Sequence, residues 1–385
     1  MAHIQHVVYS LLALFVVVSQ CQNAIAVLQG TTLDSGISGT VLFEQITASK
    51  VRVSVDISGI TANTNASIGM HVHQYGDITD TTGSATGGHY NPTNATHSCP
   101  SDTPRHVGDM GSWNVAGGSI NQVKELELLD LVGSNSIIGR GIILHAGTDL
   151  CTGASGFAGS RLAMGVVGIK SGNATAENIP NFTKAVCVFA PTSGNDVGGT
   201  VWFDVTATTV TISAKITGLS GQAHGFHIHE LGDVSGLDGT STLSHYNPLN
   251  VIHARLPTAA RHVGDLGNVQ DFDDFTNITW YKQEIAVPAG LSTYAVVVGR
   301  GMIIHSGTDD GCTQSTGNAG SRLAQCVIGV QVDSAVREIP PIVISTQTQP
   351  DCTTPVTPTN TPTSGSGDVL HISFFGVLCF IAILV

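Results

Sequence analysis

The sequence predicts an all-β protein of two tandem domains, each a sandwich or barrel of Greek-key type. Three features support this fold class: 45 glycines in 385 residues, short alternating runs rich in Val, Ile and Thr, and one repeated segment. The segment HYNPTNATHSCPSDTPRHVGD at 89–109 returns as HYNPLNVIHARLPTAARHVGD at 245–265. A chain of this length can bury two separate cores, so we predict domains at 25–170 and 184–333.

Each half follows the same order of predicted elements. Two alternating runs joined by a short turn come first, at 41–60 and again at 201–219. A third run carries a histidine pair, a glycine-rich loop follows, and further strands are predicted in GRGIILH or GRGMIIH and in GSRLA. The polar segment 171–183, with two Asn-x-Ser/Thr sequons and a proline, is the predicted linker.

Both ends of the chain are predicted to be processing signals. Residues 1–21 contain an apolar core typical of a secretory signal peptide. Residues 368–385 are apolar and follow a Ser/Thr/Pro-rich stalk at 334–367. This tail predicts a glycosylphosphatidylinositol anchor attached near Ser364 to Gly367; a single membrane-spanning tail is the alternative. We therefore expect a secreted glycoprotein, anchored at the cell surface, with sequons at Asn65, Asn94, Asn173, Asn181 and Asn277.

The charge balance limits the possible partners. There are 15 Lys and Arg residues against 28 Asp and Glu residues, which gives a net charge of −13. This argues against nucleic acid or an anionic membrane surface as a partner, and leaves a lipid anchor as the expected contact with a membrane. An anionic substrate would have to be attracted locally.

The histidines predict metal sites. In HVH and HIH the two imidazoles of each pair are two residues apart, so on a strand they face the same side and can reach one metal. In the repeated segment, three histidines and an aspartate form a full tetrahedral set suited to zinc or copper. Of 16 histidines, His3, His6 and His371 lie in the terminal segments, two matched sets of six stand at equivalent positions, and His224 is left over. The sets are His71, His73, His89, His97, His106, His145 and His227, His229, His245, His253, His262, His305.

Five motifs occur in the same order in both halves. They are HVHQYGD, HYNP, RHVGDMG, GRGIILH and GSRLA, and then GFHIHELGD, HYNP, RHVGDLGN, GRGMIIH and GNAGSRLA. Together they resemble the copper/zinc superoxide dismutase family, in its extracellular tandem form. The resemblance implies a Greek-key β-barrel of immunoglobulin-like sandwich topology in each half. It also implies an enzyme whose copper cycles between two oxidation states while two superoxide ions become dioxygen and hydrogen peroxide.

The resemblance further implies a ligand set and roles for single residues. Copper would be held by His71, His73, His89 and His145, and by His227, His229, His245 and His305. Zinc would be held by His89, His97, His106 and Asp109, and by His245, His253, His262 and Asp265. His89 and His245 would bridge the two metals and pass protons, and Arg161 and Arg322 would be the active-site arginines. Asp149 and Asp309 would link histidines of the two metal sites.

The cysteines depart from the family pattern. Met164 and Gln325, with Gly83 and Gly239, stand where the resemblance implies the family disulfide. Six of the eight cysteines lie outside the terminal segments, and six allow 15 connectivities. A Cys99–Cys151 bridge could replace the missing loop restraint in the first half. Cys187–Cys326 and Cys312–Cys352 are the pairings we then expect.

Two further hypotheses concern assembly and function. The halves are expected to pack on each other like the subunits of the family dimer, with apolar Ile138 and Val298 at the interface.

The loop between the last copper histidine and the arginine is short and has no lysine. It predicts either weaker electrostatic guidance of the substrate or a copper that is more open to solvent. A surface copper-binding or buffering protein with little turnover is therefore an alternative to the dismutase, and a structural or adhesive module is a third.

Overall fold

The computed structural model describes residues 22–61, 66–171, 182–270 and 278–335, without the side chains of 294 and 295. The predicted signal peptide and anchor signal, and nearly all of the predicted linker and stalk, lie outside these residues. Within them, no helix has both the length and the apolar character required to cross a membrane.

The first half is a single antiparallel sheet of eight strands in the order β5-β4-β7-β8-β1-β2-β3-β6. Its strands are β1 (Asn23–Gly30), β2 (Ser38–Thr47), β3 (Lys50–Ser58), β4 (Ser67–His73), β5 (Asp109–Asn114), β6 (Ile120–Glu127), β7 (Gly141–His145) and β8 (Arg161–Ser171).

The second half repeats this arrangement in the order β13-β12-β15-β16-β9-β10-β11-β14, with β17 paired to β9. Its strands are β9 (Lys184–Pro191), β10 (Gly198–Val205), β11 (Thr209–Thr217), β12 (Ala223–His229), β13 (Asp265–Gln270), β14 (Ile278–Ala286), β15 (Gly301–His305), β16 (Arg322–Val327) and β17 (Gly329–Val330). The single α-helix among the described residues is α1 (Thr293–Val297).

Strand order explains how each sheet closes. β4 follows β3 in the chain but lies beside β5 and β7, whereas β6 lies beside β3; such crossing connections are those of a Greek key. The end strands β5 and β6 contact each other, as do β13 and β14, so both sheets curl into nearly closed barrels. The all-β prediction of two tandem Greek-key barrels is confirmed.

Alternating burial accounts for the strands themselves. In β3, Val51, Val53, Val55 and Ile57 are buried, while the side chains between them are not. β11 has the same pattern. A strand with this period can bury one face in the barrel and leave the other to solvent, which is what the sequence pattern predicted.

Two of the predicted disulfides are confirmed. Cys99 is bonded to Cys151, and Cys187 is bonded to Cys326. The second bond joins β9 to β16, which are neighbours in the sheet, as expected. Cys312 is also disulfide-bonded. Its predicted partner Cys352 lies outside the described residues, so that pairing stays a prediction.

The two halves contact each other through backbone hydrogen bonds. Gly232 N donates to Ile169 O, and Ile169 N donates to Gly299 O, both at 2.8 Å. Ile138 packs at the same place: a Cβ on Gly299 would lie 2.2 Å from Ile138 Cγ2, so the close approach requires glycine there.

The reciprocal contacts use the equivalent residues of the other half. Gly76 N donates to Val330 O, and Val330 N donates to Gly139 O, both at 2.8 Å. A Cβ on Gly139 would lie 2.2 Å from Val298 Cγ1. The residues at these contacts stand at equivalent places in the two halves: Gly76 and Gly232, Gly139 and Gly299, and Ile169 and Val330.

Side chains add one polar pair on each side of this contact. Lys170 Nζ forms an ion pair with Asp233 Oδ2. At the equivalent place, Gln331 Nε2 donates to Asp77 Oδ2 at 2.8 Å. The first pair joins two opposite charges, whereas the second joins a neutral amide to a carboxylate, so the two sides of the contact differ in this respect.

Candidate metal centres

Four histidines of the first half meet beside the paired strands β4 and β7. His71 and His73 lie at the end of β4 and His145 at the end of β7, the strand paired to it. His89 lies in the loop that follows β4 and forms a β-bridge with His73. One ring nitrogen from each of these histidines lies within 4.8 Å of the others. The structure thus brings together the four residues predicted as copper ligands.

Hydrogen bonds decide which nitrogen of each ring is available. Nδ1 of His73 lies 2.9 Å from Gly87 O, and Nδ1 of His145 lies 3.1 Å from Gly159 O. A carbonyl oxygen can only accept, so each Nδ1 carries the proton and leaves Nε2 with a lone pair. These two Nε2 atoms lie 3.3 Å apart.

The other two rings also present bare nitrogens. His71 Nε2 donates to Asp149 Oδ2 at 2.9 Å, which leaves its Nδ1 with the lone pair. His71 Nδ1 and His89 Nε2 are buried and have no hydrogen-bond partner. Four ring nitrogens thus present their lone pairs to one place. A soft-to-borderline cation such as copper fits this set of nitrogens.

The second half repeats the group. His229 Nδ1 donates to Leu243 O at 2.8 Å, and His305 Nδ1 donates to Gly320 O at 3.1 Å. His227 Nδ1 and His245 Nε2 are again buried without a partner. The four ligand atoms lie within 4.8 Å of one another.

A second group in the first half combines three imidazoles with one carboxylate. Nδ1 of His89, His97 and His106 lie 3.0, 2.8 and 3.2 Å from a single atom, Asp109 Oδ1. Asp109 Oδ2 instead accepts from the backbone N of Ser98 and of His106, which fixes the carboxylate. Three nitrogens and one oxygen around one point are a tetrahedral donor set suited to zinc.

The corresponding group in the second half has the same geometry. Nδ1 of His245, His253 and His262 lie 2.8, 2.9 and 3.2 Å from Asp265 Oδ1. Nδ1 of His253 and of His262 is buried and makes no hydrogen bond of good geometry, despite this proximity. All fourteen residues predicted as metal ligands therefore lie in four groups, two in each barrel.

Burial lowers the pKa of histidines in the groups of four histidines, the predicted copper sites. It lowers the pKa of His71 to about 4, of His145 to about 3 and of His305 to about 2, so these rings are neutral at physiological pH. Neutral imidazole is the metal-binding form. Burial also lowers the pKa of His97 and His253, but close contacts with two carboxylates each, Asp109 and Asp149 or Asp265 and Asp309, outweigh it and raise both pKa values to about 9.

One carboxylate connects the two groups in each half. Asp149 Oδ2 accepts from His71 Nε2 and its Oδ1 accepts from His97 Nε2, both at 2.9 Å. Asp309 holds His227 and His253 in the same way, at 2.8 and 2.9 Å. Such a partner fixes the tautomer and orientation of both rings, as the sequence comparison implied.

The arginines lie beside the first type of group. Arg161 begins β8, and its guanidinium donates to Gly83 O, to Thr86 Oγ1 at 3.1 Å and to Gly87 O at 2.7 Å. Because Gly87 O also accepts from His73, arginine and histidine are fixed by one short turn. The half-buried guanidinium therefore presents a fixed positive charge near the imidazoles.

Arg322 is held in the same way, by Gly239 O, by Thr242 Oγ1 at 2.9 Å and by Leu243 O. The sequence analysis treated Gly83 and Gly239 only as missing cysteines and did not identify their carbonyls as arginine acceptors. The threonines were missed too; their recurrence three residues after each glycine was the available signal.

His224, the unmatched histidine, belongs to neither group. It is buried, with Nδ1 2.9 Å from His305 O and Nε2 3.1 Å from Ser220 O. Through this contact with His305 O, we assign His224 a structural role beside the backbone of a predicted copper ligand.

Comparison with known proteins agrees with this geometry. The family model for copper/zinc superoxide dismutase (SODC) matches residues 37–167 and again 197–328. The chain is 34% identical over 268 residues to "Extracellular superoxide dismutase [Cu-Zn] 3" of Dictyostelium discoideum, covering 64% of each protein. It is 46% identical over 157 residues to the "Superoxide dismutase [Cu-Zn]" of Humicola lutea and 42% identical over 160 residues to that of Saccharomyces cerevisiae. These alignments cover 38% of this chain and 98% and 97% of the relatives.

Each matched region lies within one barrel, and together the two regions include all four histidine groups. The matched family and relatives support superoxide dismutase activity for this chain, with copper and zinc as cofactors. The chain belongs to the copper/zinc superoxide dismutase family.

Proposed function

We propose that both halves are active, each with one copper and one zinc ion. Copper takes His71, His73, His89 and His145, and His227, His229, His245 and His305. Zinc takes the two groups that contain Asp109 and Asp265. The convergence of unpartnered buried nitrogens in both barrels is the observation that supports this most strongly.

Bound copper supplies one-electron chemistry, by which superoxide is alternately oxidised and reduced. The protein supplies the anion site. In a chain of net charge −13, the guanidiniums of Arg161 and Arg322 give a small anion a fixed local target. The neighbouring loops contain no lysine, so attraction beyond this short range is weak.

His89 and His245 are the residues that can hold and move a proton. His89 presents Nε2 to the copper-type group and Nδ1 to the zinc-type group. His245 is placed in the same way. With the metals bound, His89 and His245 would be ligands whose Nε2 could also carry a proton, and the reduction of superoxide to hydrogen peroxide consumes protons.

Metal analysis combined with a dismutation assay on the purified full chain tests this function. We expect about two copper and two zinc ions per chain and rapid removal of superoxide. A fully metallated chain that does not remove superoxide would overturn the proposal and favour the copper-buffering alternative.

We also propose that the barrels, at 25–170 and 184–333, pair within one chain as an intramolecular counterpart of the family dimer. The reciprocal hydrogen bonds around Ile169 and Val330, and the glycines that admit Ile138 and Val298, support this. Small-angle scattering of the monomeric chain should fit one compact two-barrel particle; two separated beads would contradict the pairing.

Finally, we propose that the protein is secreted, glycosylated and held at the cell surface by a lipid anchor near residues 364–367. The name of the Dictyostelium relative supports an extracellular location. Disulfides that persist, such as Cys99–Cys151 and Cys187–Cys326, are typical of oxidising compartments, and the sequon residue Asn94 is exposed. Phosphatidylinositol-specific phospholipase C should release the protein from cells; retention would favour the membrane-spanning tail.

A further inference from the structure

The two barrels close the same loop by different chemistry. In the first, Cys99 stands two residues after His97, and Cys151 stands two residues after Asp149. The disulfide between them brings the two Cα atoms to 4.8 Å. It therefore ties the loop that carries His97 to the segment that carries its carboxylate partner.

In the second barrel the equivalent positions hold no cysteines. They are Arg255, two residues after His253, and Gly311, two residues after Asp309. A Cβ on Gly311 would lie 2.8 Å from Arg255 Nε and 2.9 Å from Arg255 Cβ. The arginine side chain thus occupies the space that the cysteine side chain takes in the first barrel.

Hydrogen bonds complete this second closure. Arg255 Nη2 donates to Asp310 O at 2.9 Å. Gln314 holds the backbone of His253 at both polar atoms: its Nε2 donates to His253 O at 2.9 Å, and its Oε1 accepts from His253 N at 2.8 Å. We call Arg255 and Gln314 the polar clasp.

The backbone at the two closures is the same. Cys151 has φ 58° and Gly311 has φ 66°, and their N–H groups donate to Oδ1 of Asp149 and Asp309 at 2.8 and 2.7 Å. Glycine is the usual residue in this left-handed region, and a cysteine there is strained. The first barrel keeps this strained backbone at Cys151, the residue whose sulfur is bonded to Cys99.

We propose that the Cys99–Cys151 disulfide and the polar clasp are equivalent positioning devices, which keep His97 and His253 on Asp149 and Asp309 and so retain zinc. This inference rests on the proposed zinc sites. Its consequence is an asymmetry: the first closure is itself a disulfide, whereas the second consists of the hydrogen bonds of the polar clasp, in which Arg255 Nη2 also lies 3.2 Å from Sγ of the disulfide-bonded Cys312. A reductant therefore removes the whole of the first closure and leaves the hydrogen bonds to Asp310 O and His253 in place. A phosphine reductant breaks the S–S bond by supplying two electrons; water supplies two protons to the sulfurs and one oxygen to the phosphine oxide.

The experiment compares zinc loss to a colorimetric chelator from fully loaded full-length chains. With Cys99→Ser/Cys151→Ser we expect one of the two zinc ions to leave about tenfold faster or more, as for other groups that orient metal ligands. A phosphine should have the same effect on the unmodified chain. With Arg255→Ala/Gln314→Ala the other zinc should leave faster. Cys187→Ala/Cys326→Ala is the matched control, which removes the disulfide between β9 and β16 and should leave zinc loss unchanged.

A transplant separates positioning from general stabilisation. Cys99→Arg/Cys151→Gly should restore much of the slow zinc loss in the first barrel and make it insensitive to the phosphine. Cobalt in the zinc sites should show its tetrahedral absorption distorted in the serine variant and recovered in the transplant. An unmodified chain without two zinc ions would overturn the proposed function; two zinc ions lost equally slowly from the unmodified and serine chains would overturn this inference alone.

Discussion

Asp149→Asn removes one negative charge from the carboxylate that links the two metal groups of the first barrel. Asp149 accepts from His71 Nε2 and from His97 Nε2, both at 2.9 Å, and all three side chains are inaccessible to solvent. An asparagine has one acceptor oxygen, so one ring must face an N–H₂ group. That ring either loses its hydrogen bond or moves its proton to Nδ1, the nitrogen that the metal needs.

The magnitude follows from these contacts. A buried hydrogen bond to a charged group contributes about 1.5–3 kcal/mol, and loss of a group that orients a metal ligand typically weakens metal binding about 10- to 100-fold. We therefore expect zinc affinity in the first barrel to fall by about that factor. The second barrel should be unaffected, because Asp309 is its own link.

Zinc titration of the metal-free chain against a competing chelator provides the assay. The unmodified chain should show two tight sites and Asp149→Asn one tight and one weakened site; Asp309→Asn should give the mirror result. Asp56→Asn, at an exposed position of β3, controls for the loss of charge. Two equally tight sites in Asp149→Asn would refute the role assigned to this carboxylate.

Three further predictions follow from the same contacts. Arg161→Ala combined with Arg322→Ala should lower kcat/KM for superoxide by roughly 10- to 100-fold, without loss of copper, because it removes the fixed local charge; an unchanged rate would contradict this. Leu243 has φ 62° and ψ −142°, a region normally reserved for glycine. Leu243→Gly should therefore raise the free energy of unfolding by about 1 kcal/mol, whereas Leu243→Ala should not; urea titration distinguishes them, and a destabilised Leu243→Gly would contradict the strain. The metal-free chain should lose stability as pH rises from about 6.5 through about 9, since His97 and His253 stay protonated in the fold up to about 9. The loss should be roughly 3 kcal/mol per histidine, and equal stability in urea at pH 6.5 and 9.5 would refute it.

The sequence predicted the barrels and the histidine groups because both depend on simple periods. Alternation in β3 and β11 defines a buried face, and a two-residue spacing places His71 beside His73 on one side of β4. The repeat identified the remaining ligands. A ligand such as His89 recurs as His245, although the residues between the ligands differ in the two copies. Two disulfides were also predicted correctly from the expected positions of the cysteines in the barrels.

The features that escaped prediction depend on contacts between distant backbone atoms. Arg161 is fixed by carbonyl oxygens of Gly83 and Gly87, and a carbonyl has no signature in sequence. The polar clasp was missed for a related reason: Gln314 meets His253, and Arg255 meets Asp310, only when the fold brings together residues that are 61 and 55 positions apart in the chain. No local pattern specifies that meeting.

Activity of chains with one disabled copper group tests the central claim most directly. We predict that His71→Ala and His227→Ala, each folded by circular dichroism, hold about one copper and retain roughly half of the dismutation rate, and that the double variant loses both copper and activity. A single variant that retains the full rate, or one that abolishes it, would contradict the claim that both barrels are active.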